Sequence, residues 1–129
     1  VDEMQDAKTV ARESVTTLVA AWLAGDPGAT TGVLAPGVRW WTPLGGETAE
    51  GPDAVWGVVE AVLAGTPRPI EVTALILNED GTRGVVELRS AASDEALVLV
   101  TSVITLVDGT IVEGFTYSDV GAEFASTTR

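Results

Sequence analysis

The stretch Ala96–Ser118, ALVLVTSVITLVDGTIVEGFTYS, decides how this chain reads. Two runs rich in Val, Ile, Leu and Thr flank Asp108-Gly109, a dipeptide suited to a tight hairpin because both residues tolerate positive φ. The first run, Ala96–Val107, carries Thr101, Ser102 and Thr105. It is too short to cross a membrane as a helix, and its β-branched residues favour a strand. Working outward, Gly84–Ala91 and Ile70–Leu77 share this composition, with Ser93-Asp94-Glu95 and Glu79-Asp80-Gly81 supplying turns between the runs. The spacing predicts an antiparallel meander over these four segments.

Before Pro69 the period changes from two to between three and four. Ala7, Ala11, Val15, Leu18 and Trp22 form one apolar stripe, which predicts a long helix stopped by Gly25. Asp26-Pro27 predicts the cap and first residue of a short second helix running to about Leu34. Val38–Thr42 reads as a short strand ended by Pro43 and Gly45-Gly46. Pro52-Asp53 opens a third helix carrying Val55, Val58, Val59 and Val62, closed by Gly65. Three helices and then a meander predict one α+β domain over residues 1–129. A sheet of long strands packed on one side by helices is expected to curl, and helices closing one mouth would make a cone.

Composition narrows the chemistry. The chain has 129 residues, no Cys and no His, which excludes zinc fingers, thiol nucleophiles, haem ligation through His or Cys and the Ser-His-Asp triad. Any metal would need oxygen ligands alone, with Mg²⁺ or Ca²⁺ as the candidates, and the expected function uses no cofactor and no metal. Seven Lys and Arg against 19 Asp and Glu give a net charge of −12, which opposes binding to nucleic acid or to an anionic membrane. The apolar fraction of 46% and the positive mean hydropathy predict a greasy interior or a buried subunit interface. Val1–Lys8 lacks the basic-then-apolar pattern of a signal peptide, so the expected compartment is the cytoplasm.

Three strings carry a resemblance: Val19-Ala20-Ala21-Trp22-Leu23-Ala24-Gly25-Asp26, then Leu34–Pro43 followed by Glu50–Val55, and Thr105–Gly114. Together they resemble the nuclear transport factor 2-like superfamily in its SnoaL-like branch, which includes polyketide cyclases, ketosteroid isomerase and limonene epoxide hydrolase. The resemblance covers about residues 7–119. It implies a cone-shaped α+β barrel with a deep apolar pocket, usually dimeric through the sheet, so a homodimer is expected. It does not imply a reaction, because the fold hosts several.

Where ketosteroid isomerases place a Tyr, a general-base Asp and a protonated Asp, this chain has Leu18, Thr42 and Ser102. The cyclases' Asp base also falls near Ser102. Limonene epoxide hydrolases use Arg and Asp two residues apart on a strand, with a further Asp on the last strand. Here Glu87 and Arg89 have that spacing in reverse order, and Tyr117 stands at the last-strand position. Polyether-forming relatives pair an Asp near Thr42 with a Glu near Glu71.

Glu87, Arg89 and Tyr117 are thus the candidate catalytic residues. Strand alternation puts Glu87 and Arg89 on one face. If that face is the inner one, Glu87 serves as general base, Arg89 steers it or binds developing negative charge, and Tyr117 donates to a substrate oxygen. The expected pocket lining is Leu18, Trp22, Trp40, Thr42, Glu71, Val100, Ser102 and Phe115. Of the adjacent Trp40 and Trp41, parity with Thr42 selects Trp40 for the inside. Two functions remain open. One is cofactor-free acid–base catalysis (cyclisation, isomerisation or epoxide opening) on a hydrophobic polyketide-, terpenoid- or sterol-like compound. The other is a non-catalytic module of the same fold that binds a hydrophobic ligand or dimerises.

Overall fold

In the computed structural model, residues 2–42, 48–64, 69–90 and 98–118 are described. Helix α1 spans Asp2–Ala24, and a 3-10 turn covers Pro27–Thr30. Strands β1 (Leu34–Trp41) and β2 (Ala49–Glu50) precede helix α2 (Pro52–Ala64). Strands β3 (Ile70–Leu77), β4 (Arg83–Ser90), β5 (Val98–Val107) and β6 (Thr110–Ser118) follow.

The meander forms as expected: β3, β4, β5 and β6 pair antiparallel in succession, while the predicted turn at Ser93-Asp94-Glu95 lies outside the described residues. At the β5–β6 turn, Asp108 and Gly109 have φ of 50° and 79°, the doubly left-handed conformation that matches the twist of two antiparallel strands. The N-terminal strand then docks parallel to β6, giving one curved sheet of order β2-β1-β6-β5-β4-β3. Register shifts in the β1–β6, β3–β4 and β5–β6 pairs each break the ladder and add bend.

Two expectations are corrected. The expected second helix is a single 3-10 turn, so there are two α-helices among the described residues rather than three. Asp26 makes no side-chain cap bond, and the chain after Thr31 is claimed by the sheet, where the Ile111 amide donates to the Val33 carbonyl at 2.8 Å. Nor does the sheet close into a barrel: β2 and β3 are its edges in the described strand order.

The helices cover one face of the sheet. Ala11, Val15, Leu18 and Trp22 of α1 and Val55, Val59, Val62 and Leu63 of α2 pack with Val38, Trp40, Val86, Leu88, Val100, Ile104 and Ile111 in one core. Ala7, the first residue of the predicted stripe, is exposed. The Ser14 hydroxyl of α1 donates to the Gly109 carbonyl, tying the first helix to a turn 95 residues away. No helix among the described residues is long and apolar enough to cross a membrane.

Candidate functional site

Side chains alternate across a strand, so burial along each strand gives the facing of every candidate. On β4, Gly84, Val86, Leu88 and Ser90 are buried beneath the helices, whereas Arg83, Val85 and Arg89 are exposed and Glu87 is half-buried. Glu87 and Arg89 therefore stand on the sheet's outer face. The condition on which their catalytic role rested, an inward-facing Glu87, is not met. The Glu87 carboxylate instead accepts a hydrogen bond from the Thr73 hydroxyl at 2.8 Å. Glu71 is exposed and lies directly opposite Arg89 in register, also outside.

The last strand is corrected in the same way. Tyr117 is 46% exposed, and the half-buried Phe115 packs edge-to-face on Trp41 with ring centroids 6.0 Å apart. The inward positions are Gly114 and Thr116. The reason is steric: a Cβ at residue 114 would overlap Trp40 ring atoms Cε3, Cζ3 and Cη2, so the indole of β1 fills the space a larger residue of β6 would need.

The other expected lining residues, Leu18, Trp22, Trp40, Thr42, Val100 and Ser102, are all buried. Trp22 and Trp40 meet edge-to-face, with centroids 5.6 Å apart and planes at 87°. The Trp40 indole N–H donates to the Thr116 hydroxyl at 2.7 Å, and the Thr116 and Ser102 hydroxyls lie 2.9 Å apart. Thr116 is the functional candidate that the sequence reading missed. The buried polar residues are Ser14, Thr30, Thr42, Ser90, Ser102 and Thr116, and among the described residues no carboxylate or cation is buried.

This arrangement has a definite hydrogen-bonding capacity. Trp40 N–H, Ser102 O–H and Thr116 O–H are three donors, and they make two bonds among themselves. One hydroxyl proton is left for a further acceptor. Thr42 and Ser90 extend the hydroxyl-bearing surface toward the end of the sheet where β1 and β4 stop. Such hydroxyls can orient a carbonyl, ether or hydroxyl oxygen, and a hydroxyl acts as a nucleophile only with a base beside it. Among the described residues no group of three or more Asp or Glu converges as a metal site would require.

The outer face carries a different pattern. Trp41, Phe115, Val103, Val85 and Ile76 are consecutive partners across five strands, a continuous apolar row. Arg39, Glu113, Thr105 and Arg83 form the neighbouring row on one side, and Tyr117, Thr101, Glu87 and Ala74 the row on the other.

Residues 15–114 match the SnoaL-like domain. The chain belongs to that family. Solved structures of the same fold include a candidate SnoaL-like polyketide cyclase from Jannaschia sp. CCS1, with 21% identity, a TM-score of 0.71 and coverage of 91% of this chain and 90% of that one. A steroid delta-isomerase from Pseudomonas aeruginosa superposes with TM-score 0.68 at 17% identity, over 92% of this chain and 94% of the other. An LEH-like epoxide hydrolase from M. tuberculosis does so with TM-score 0.63 at 16% identity, over 92% and 89%. At these identities the SnoaL-like chain shares a fold with proteins of several activities. No curated protein matches it.

Proposed function

We propose that this SnoaL-like domain binds a hydrophobic small molecule of polyketide, terpenoid or sterol type and holds one of its oxygens on the Ser102–Thr116 hydroxyls. The observation that supports this reading is the helix-covered face of the sheet: buried apolar side chains, a hydroxyl donor to spare, and no buried carboxylate among the described residues. Apolar walls with few polar groups are the usual chemistry of a small-ligand site. The test is titration with a steroid enone, a terpene epoxide and an anthraquinone, followed by tryptophan fluorescence and by product analysis. Saturable quenching that weakens in Ser102→Ala and Thr116→Val, with compound recovered unchanged, is the expected result. Binding insensitive to both substitutions would refute it.

Acid–base catalysis is the second reading, favoured by the steroid isomerase and epoxide hydrolase among the structural neighbours. Its base would come from outside the described residues. Asp119, which directly follows β6, is the first carboxylate to test. Turnover of the enone or the epoxide that is lost in Asp119→Asn and retained in Glu87→Gln would establish this reading over the first.

A second copy of the chain is the partner that suits the outer apolar row. Val85 is 37% exposed, Val103 39% and Ile76 62%, an apolar stripe that a monomer would leave in water. Sedimentation of the wild type as a dimer and of Val103→Arg as a monomer would support this assignment, and a monomeric wild type would remove it.

A further inference from the structure

We propose that the cleft between the C-terminal ends of α1 and α2 is a binding site for a small organic cation with an apolar body, such as a quaternary ammonium. The cleft has a volume of about 190 Å³ and is lined by Trp22 near the end of α1, by Gly25 just after it, and by Trp56, Glu60, Leu63 and Ala64 from α2. The Ser102 and Thr116 hydroxyls are not among its walls, and the nearest link to them runs from Trp22 through Trp40.

Four features of this cleft favour positive charge. Two indoles line it, and an indole face attracts a cation through the ring quadrupole. The Trp56 indole N–H donates to Glu60 Oε2 at 2.9 Å, which fixes the carboxylate beside the ring with Oε1 left to meet a ligand. Both helices end here, and each contributes the partial negative charge of a C-terminus. Neither helix has a basic residue in its last turn to neutralise that charge. A protein of net charge −12 adds a long-range field of the same sign. An anion is disfavoured by every one of these terms. A fully hydrated inorganic cation would waste the apolar walls that Trp22 and Leu63 provide, whereas a methylated ammonium uses both.

The probe is choline, compared with 3,3-dimethylbutan-1-ol, which replaces the charged nitrogen by carbon at nearly the same shape. Both are titrated into the whole chain while the four tryptophan indole N–H signals are followed by NMR. Choline is expected to shift the Trp22 and Trp56 signals saturably, with the neutral analogue at least about fivefold weaker. Glu60→Gln should weaken choline by a similar factor, and rising salt should weaken it further. Trp56→Phe, at a half-buried position, should weaken it while the circular dichroism spectrum stays native. Equal affinity for the two compounds, or choline binding unchanged in Glu60→Gln, would overturn the proposal. So would shifts confined to Trp40 and Trp41. Ser102→Ala should leave choline binding intact, so failure here and failure of the proposed hydrophobic-ligand site are separable.

Discussion

Replacing Gly114 by Ala tests the packing on which the inner face depends. The added methyl would overlap the benzo ring of Trp40, which is wholly buried and held on two sides. Trp22 contacts the ring edge-to-face, and Thr116 anchors its N–H. The ring cannot swing away without giving up one of these. Overpacking a core costs about 1–3 kcal/mol, and weakening the buried indole hydrogen bond adds about 1 kcal/mol. The expected loss is therefore about 2–4 kcal/mol, or about 8–16 °C in Tm at roughly 4 °C per kcal/mol for a domain of this size. The assay is urea and thermal denaturation of wild type, Gly114→Ala, Trp40→Leu and the double variant. In the double variant the new methyl enters space the indole vacates, so its stability should exceed the additive expectation by about 2 kcal/mol. A Tm within about 2 °C of wild type for Gly114→Ala, or strict additivity of the cycle, would refute the reasoning.

Other outcomes follow from the same geometry. Thr116→Val keeps the shape but strands the buried Trp40 N–H, and should cost about 1–3 kcal/mol in denaturant melts, more than Ser102→Ala, which leaves that bond in place. Glu87→Gln, on the outer face with its Thr73 bond retainable, should change stability by less than about 0.5 kcal/mol and leave ligand quenching unaltered. In the β3–β4 turn, Asp80 is held below its ordinary value of 3.8, chiefly by the Thr82 hydroxyl and then by the Thr82 amide. A lowered carboxylate pKa stabilises the fold above the ordinary value, and that contribution is lost as pH falls through the native one. Thr82→Val should move the Asp80 titration upward toward 3.8 in a carboxyl NMR titration, and an unmoved curve would remove the hydroxyl as its cause.

Much of this architecture could be read directly from residue patterns. The limits of β3 and β6 follow from turn chemistry, and Pro52 opens α2, because those signals are local, while Gly65 lies outside the described residues. The second helix failed because a local proline cue at Pro27 competes with pairing to Ile111, a partner remote in sequence. Facing was the harder problem. On β4 apolar weight does favour Val86 and Leu88 inside over Arg83, Val85, Glu87 and Arg89 outside, but the i, i+2 spacing of the charged pair competed with it. On β6 the aromatic pair Phe115 and Tyr117 outweighs Gly114 and Thr116, yet the smaller pair points inward because Trp40 from another strand occupies the room. No inspection of β6 by itself reveals that neighbour, and with it went the role of Thr116.

The parallel pairing of β1 with β6 has a consequence for biosynthesis. Apart from the two-residue β2, strand β1 finds its ladder partner in the last described strand, with Trp40 opposite Gly114 and Trp41 opposite Phe115. During translation, the side of β1 that pairs with β6 must wait until residues 110–118 have left the ribosome. Such sequence-distant closure slows folding. It makes the nascent chain a natural client for chaperones and makes truncation before residue 111 a route to aggregation rather than to a smaller stable domain.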